Sequence, residues 1–275
     1  MLVAKNIKLL SPWSLTVGIA VSGLLLSSCS PNSNEQANTG SQNNSEGTLN
    51  IVANGEDFAQ EGMVSKDQWQ IDFDHVFVNF EEVQAADLSF IEEPDATASA
   101  SFAEETTIDL TQPKEGRTVA SLQVPATHYR GLQWKLSPAQ QGAAKGSSVL
   151  LAGQAKKSDQ TIQFSISLDS PLSFACGDYV GDDRKGILAP NESAELEATF
   201  HLDHLFGNGE APLEDAINQK SLGFDALASL ASNSELKVSM DDLKTQLAAS
   251  DYETLVKQIK GLGHVGEGHC EGKVA

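Results

Sequence analysis

The sequence WQIDFDHVFVNF, residues 69–80, carries the clearest strand signal in the chain. Its odd-numbered positions are mainly apolar. Its even-numbered positions are polar at first and become apolar from Val76 onward. Alternation with a period of two is typical of a strand that buries one face. We therefore expect a strand that starts half-exposed and ends buried on both faces.

Similar short segments recur on both sides of this strand, separated by residues such as glycine, proline and asparagine. The further predicted strands cover residues 49–53, 106–110, 118–124, 129–136, 148–155, 161–168 and 195–203, and residues 83–91 are candidates to continue the sheet. Strands at intervals of about eight to twelve residues favour a β-sandwich.

The pattern changes after Phe206, where short helices are predicted over residues 213–218, 224–231, 240–249 and 251–260. Ser250 and Glu253 have the spacing of a capping box at the start of the last helix. We therefore predict an α+β fold. A mainly antiparallel β-sandwich spans residues 49–206, and a C-terminal segment of short helices with a His-rich tail, residues 207–275, packs on it.

The first 28 residues have the features of a secretion signal. Lys5 and Lys8 precede an apolar run that ends in Leu26-Ser27-Ser28-Cys29. These four residues resemble the lipobox of bacterial lipoproteins. The resemblance covers only the leader. It implies that Cys29 becomes the mature N-terminus and carries diacylglycerol and an N-acyl chain, which together anchor a protein stably to a membrane.

Residues 29–48 contain no large apolar side chain and are expected to form a disordered tether. Ser30 follows the cysteine. In lipoproteins of the enteric type, the absence of aspartate there favours the periplasmic face of the outer membrane. The predicted location is thus the cell envelope, with the membrane as a partner through Cys29.

The chain has 38 acidic and 18 basic residues, a formal net charge of −20. A charge of this sign argues against nucleic acid and against anionic membrane surfaces as electrostatic partners. It is compatible with cation binding, and equally with a role in solubility alone.

Lipidation of Cys29 leaves Cys176 and Cys270 as the cysteines that are free to pair. An exported protein encounters an oxidising compartment, so we expect these two residues to form a disulfide. The alternative is that Cys270 is a thiolate metal ligand beside His269.

Four of the six histidines lie in two short segments: His201 lies within the predicted strand at residues 195–203 and His204 directly follows it, and His264 and His269 lie in a glycine-rich tail. Strict alternation places His201 and Asp203 on the outward face of that strand, while His204 joins them only if the strand ends or bends there. His75 and His128 are isolated and are interpreted as structural. The aspartates of residues 174–191 are interpreted as part of an ordinary loop.

Imidazole and carboxylate groups together favour Zn or Cu over Ca²⁺ or Mg²⁺. The candidate ligands are His201, Asp203, His204, His264, Glu267 and His269. Exposed histidines on a strand and a flexible tail are the structural alternative.

These features favour a lipid-anchored envelope protein that binds a transition metal for sequestration, delivery or sensing. One alternative is a non-catalytic module that binds an envelope protein or a glycan. Another is a metal-dependent hydrolase with Glu267 as base, although no catalytic motif supports an enzyme.

Overall fold

A computed structural model describes residues 45–114 and 117–275. The predicted leader and Cys29 lie outside these residues. The described strands are β1 (Glu46–Asn54), β2 (Met63–Val64), β3 (Gln70–Ala86), β4 (Ala100–Phe102), β5 (Thr106–Asp109), β6 (Thr118–Pro125), β7 (Gly131–Leu136), β8 (Val149–Lys157), β9 (Gln160–Leu168), β10 (Leu172–Ala175), β11 (Ser193–Phe200), β12 (Glu235–Ser239), β13 (Gly263–Val265), β14 (Gly268–His269) and β15 (Glu271–Val274). The described helices are α1 (Glu56–Glu61), α2 (Asp203–Phe206), α3 (Ala216–Lys220), α4 (Asp225–Ala228), α5 (Met240–Gln246) and α6 (Ala249–Ile259).

The predicted α+β class, with strands predominating, is confirmed. One sheet has the strand order β14-β13-β11-β1-β6. The other has the order β12-β9-β8-β3-β7-β10-β15, and β2, β4 and β5 also pair with β3. Most neighbours are antiparallel, but β1 runs parallel to β11 and β9 runs parallel to β12. Both sheets are therefore mixed.

The strand at residues 69–80 is the centre of the larger sheet. It is longer than predicted, because β3 continues to Ala86. Its first half pairs with β8 and its second half with β7, with a register shift in each pairing. Partners along its full length explain why this strand has the strongest pattern in the sequence.

Phe200, the last residue of β11, joins the two sheets. Its ring centroid lies 6.1 Å from that of Phe80, 6.0 Å from that of Trp134 and 6.4 Å from that of Phe174, all three on strands of the larger sheet. All four side chains are almost fully buried. This aromatic contact fixes the end of β11, and the residues that follow it, against the core.

The segment after Phe206 contributes strands as well as helices. β12 and β15 extend the larger sheet, whereas β13 and β14 extend the smaller one. The predicted capping box at Ser250 is wrong: α6 begins at Ala249 after Ala248, with no side-chain cap. The capping box instead precedes α5, where Ser239 and Asp242 bond reciprocally to each other's backbone N–H.

The predicted disulfide between Cys176 and Cys270 is confirmed. Cys270 lies between β14 of the smaller sheet and β15 of the larger sheet, while Cys176 follows β10. The bond therefore lies where the chain passes from one sheet to the other. It also removes the alternative of Cys270 as a thiolate ligand.

Candidate metal centre

The first histidine pair lies where β11 ends. The strand stops at Phe200, and Asp203 is already the first residue of α2. The predicted outward strand face for His201 and Asp203 is therefore wrong, and His201 is only 8% exposed. Because the chain turns into a helix here, His204 comes round to the same side, with its ring centroid 6.1 Å from that of His201.

The second pair lies on a hairpin formed by β13 and β14. The register places His264 directly opposite His269, with Gly266 and Glu267 as the connecting residues. Gly266 has a φ of +59°, which favours glycine. A β-carbon there would lie 2.1 Å from the Val180 carbonyl oxygen. The tail is thus a paired edge of the smaller sheet.

A second glycine, Gly261, lies where the two histidine pairs meet. The backbone N–H of His201 donates to the carbonyl of Leu262 at 3.0 Å, so the start of the hairpin lies beside the end of β11. A β-carbon on Gly261 would lie 2.7 Å from Nδ1 of His204. Glycine at this position therefore leaves room for the His204 ring against the backbone.

Four imidazoles pack in one cluster. The His201 and His264 rings are stacked, with centroids 3.8 Å apart and an angle of 10° between their planes. The His204 centroid lies 5.0 Å from that of His264 and 5.6 Å from that of His269. One possible ligand nitrogen from each of His201, His204 and His264 lies within 4.8 Å of the others.

His264 has one nitrogen with a hydrogen-bond partner and one without. Its Nε2 lies 3.1 Å from the carbonyl oxygen of Gly261 and 3.0 Å from Nδ1 of His269. A carbonyl oxygen only accepts, so Nε2 carries the proton and Nδ1 of a neutral His264 has a free lone pair. That Nδ1 is buried without a hydrogen-bond partner in the described part of the chain.

The surroundings of His204 and His264 keep both imidazoles neutral. Burial, together with repulsion from the neighbouring imidazoles, lowers the pKa of His204 to about 4 and that of His264 to about 3. A neutral imidazole is the form that binds a metal. These two side chains are therefore in the ligand form at neutral pH.

Two partly buried carboxyl groups lie beside the imidazoles. Burial raises the pKa of Asp203, and its Oδ1 has no hydrogen-bond partner among residues 45–114 and 117–275. Burial also raises the pKa of Glu56, whose Oε1 lies 3.5 Å from Nε2 of His201. Glu267 lies exposed on the hairpin connection, where its charge raises both of these pKa values.

Sequence reasoning missed Glu56. It follows β1, and its proximity to His201 depends on the parallel pairing of β1 with β11. Parallel strands end at the same edge of a sheet, so residues just beyond both ends meet. The sequence contains no local signal for that pairing.

The donor set fits a transition-metal ion. Zinc binds imidazole nitrogen at about 2.0–2.1 Å in a tetrahedron, which places ligand atoms roughly 3.4 Å apart. A metal ion lies close to the plane of each imidazole that binds it, so the stacked rings of His201 and His264 would have to rotate out of their parallel arrangement for both to bind one ion. Metal-bound histidines also commonly donate their other N–H to a carbonyl or carboxylate, as His264 does to Gly261.

The two isolated histidines and the aspartates of the loop after β10 are not part of the cluster. His75 is exposed, and its Nδ1 lies within hydrogen-bond distance of Oδ2 of Asp109, at 2.8 Å. His128 is exposed and forms an isolated β-bridge with Ile187. In the loop after β10, Asp178 pairs with Arg130 and Asp182 with Arg184. The loop aspartates with arginine partners agree with the interpretation of an ordinary loop.

Comparison with protein-family models, curated proteins and solved structures found no match. In the described ranges, no helix combines the length and hydrophobicity needed to span a bilayer. Any functional inference for this chain therefore starts from the geometry of the histidine cluster.

Proposed function

We propose that this protein is a lipid-anchored component of the cell envelope that binds Zn²⁺ or Cu²⁺ and sequesters, delivers or senses that ion. His201, His204 and His264 supply the central ligands. His269, Asp203 and Glu267 surround them as further ligands or as groups that orient the ligands. The anchor at Cys29 rests on the lipobox resemblance of the leader.

The observation that carries the metal proposal is the state of His264. His264 is 2% exposed, its Nε2 faces a backbone carbonyl, and its Nδ1 is buried without a partner among the residues that the structure describes. Leaving a buried polar atom unpaired costs about 1–3 kcal/mol. A metal ion bound at Nδ1 would remove that cost, and His201 and His204 would bind the same ion.

The ligand chemistry also supports a borderline divalent ion. The cluster is rich in imidazole, and the two body cysteines form the disulfide, so no thiolate from them is available. Imidazole suits Zn²⁺ and Cu²⁺, whereas Mg²⁺ and Ca²⁺ prefer oxygen ligands. Negative charge from Asp203 and Glu56 would offset the charge of a divalent ion.

The test is metal binding by the protein purified without a histidine tag. We expect one equivalent of Zn²⁺ or Cu²⁺, measured by mass spectrometry and titration. The variant His204→Ala removes a partly exposed ligand and should lose tight binding. The matched control His75→Ala removes an imidazole outside the cluster and should bind as the wild type does.

Failure of the wild-type protein to bind either ion at high micromolar concentration would reject the metal site. A non-catalytic module that binds an envelope protein or a glycan would then be the remaining hypothesis. Equal binding by wild type and His204→Ala would instead reject the assignment of His204.

A further inference from the structure

Glu56 is held beside the histidine cluster by the fold of the smaller sheet. Asn54 at the end of β1 is in register with Thr199 of β11, two residues before His201. Glu56 begins α1 immediately after β1, and its side chain is 30% exposed. The Glu56 carboxylate therefore lies beside Nε2 of His201, at the edge of the sheet where the parallel strands β1 and β11 both end.

The backbone of Glu56 is in an unfavourable conformation. Its φ is +54°, in the left-handed region that non-glycine residues rarely adopt. The side chain of Asn54 holds it there, because Oδ1 accepts the Glu56 N–H at 3.0 Å. Asn54 is held in turn by Arg117 and Glu197. Strain of this kind is found at sites where function requires a fixed side-chain position.

The carboxyl group of Glu56 lies near two other acidic side chains as well as beside His201. Asp203 and Glu267 are close enough to act on it electrostatically, and its own side chain is only 30% exposed. A positive ion among these groups would therefore be electrostatically favoured.

We propose that Glu56 is a positioning residue of the metal site, which orients His201 through Nε2 and supplies negative charge that favours a divalent ion. This inference rests on the proposed metal-binding function. Nε2 of His201 is buried without a hydrogen-bond partner among the described residues, and Oε1 of Glu56 lies 3.5 Å from it, so Glu56 would orient His201 as the Gly261 carbonyl orients His264. The present 3.5 Å separation would shorten to a hydrogen bond when the ion is bound.

The test compares three variants of the full-length protein. Glu56→Gln keeps the shape and the strained backbone but removes the charge. Glu56→Gly removes both the carboxylate and the strain. Glu61→Gln, at the exposed end of the same helix, is the matched control. Zn²⁺ affinity is measured by competition with a chelator, Co²⁺ coordination by the visible spectrum, and stability by the urea midpoint of the metal-free protein.

We expect Glu56→Gln to weaken Zn²⁺ binding by about 10- to 100-fold, the usual effect of losing an orienting partner, and to alter the Co²⁺ spectrum. Its metal-free urea midpoint should equal or exceed that of the wild type. Glu56→Gly should have a higher midpoint still, because glycine adopts this φ without strain. Glu61→Gln should match the wild type in all three measurements.

Wild-type affinity and an unchanged Co²⁺ spectrum in Glu56→Gln would overturn this inference while leaving the proposed function intact. A lower metal-free midpoint in Glu56→Gln would also overturn it, because that result indicates a structural role. Absence of both Zn²⁺ and Cu²⁺ binding by the wild-type protein would overturn the proposed function and this inference together; if only Cu²⁺ binds, the same variants are compared by their Cu²⁺ affinity.

Discussion

At the scale of single residues, the cluster places ionisable groups in an environment that opposes their charged forms. His204 and His264 have folded pKa values of about 4 and about 3, well below that of a free imidazole. The unfolded chain therefore binds more protons than the folded chain between those values and about pH 6.5. Acid should consequently destabilise the metal-free protein.

We predict that the free energy of unfolding of the metal-free protein is constant above about pH 7 and falls from about pH 6.5 downward. Allowing for solvent screening, the two rings together should give a slope of about 1–2 kcal/mol per pH unit. The raised pKa values of Glu56 and Asp203 act in the opposite direction at lower pH. The decline should therefore be steepest above the range in which carboxylates titrate.

Urea unfolding between pH 8 and pH 5 measures this slope. The double variant His204→Gln/His264→Gln is the control and should show a flatter profile over the same range. An equal slope in the two proteins would mean that these imidazoles are not neutral and buried in solution.

Residue types and spacing predicted the histidines of the site but not their geometry. The clustering of His201 with His204, and of His264 with His269, is visible in the sequence. Glu56 is not, because its role depends on a parallel pairing between distant strands and on a backbone conformation that glutamate rarely adopts. A pairing between distant strands produces no pattern in the sequence around Glu56.

At the scale of elements, where a strand or helix begins and ends decides what the site contains. If β11 had continued to Asp203, His201 would face outward; because it stops at Phe200, His201 is buried and His204 joins it. Alternation alone did not locate that end, since the apolar pattern continues through Leu202 into α2. The strand ends where Phe200 packs between the two sheets.

The hairpin of β13 and β14 could have been predicted from the sequence. Gly266 provides the positive φ of the turn, and Gly261 and Gly266 permit close contacts with His204 and Val180. A two-residue connection that begins with glycine is typical of a tight hairpin. It necessarily places His264 opposite His269.

The capping assignments can be tested with a matched pair of serine substitutions. Ser239→Ala removes the side chain that accepts the Asp242 N–H at the start of α5 and should lower the free energy of unfolding by about 0.5–2 kcal/mol. Ser250→Ala changes an exposed residue within α6 and should have an effect below about 0.5 kcal/mol. Urea unfolding of both variants measures the difference. A larger effect at Ser250 would favour the original sequence interpretation over the structure.

At the scale of the whole molecule, two mixed sheets share one core, and the segment after Phe206 contributes strands to both. The α+β class and the positions of most strands before Phe206 were predictable from alternation, whereas β12 to β15 were not predicted. The order of strands was not, because β1–β11 and β9–β12 are parallel pairs between segments far apart in the chain. The disulfide was predictable because only two body cysteines were available.

We predict that Cys176→Ser/Cys270→Ser lowers the free energy of unfolding by about 2–5 kcal/mol, since the bond closes a long loop of sequence separation 94. It should also weaken metal binding, because Cys270 follows directly after His269. Urea unfolding and Zn²⁺ titration measure the two effects. Reduction of the wild-type protein should reproduce the variant, whereas equal stability of the reduced and oxidised proteins would contradict the prediction.

The parallel pairing of β1 with β11 also has a kinetic consequence. It joins Thr48 to Ser193, and contacts between such distant segments form slowly because a long loop must close first. Glu56 and His201 meet only after that step. A metal ion that needs both groups cannot guide the early stages of folding, so its uptake would report the arrival of the final native topology.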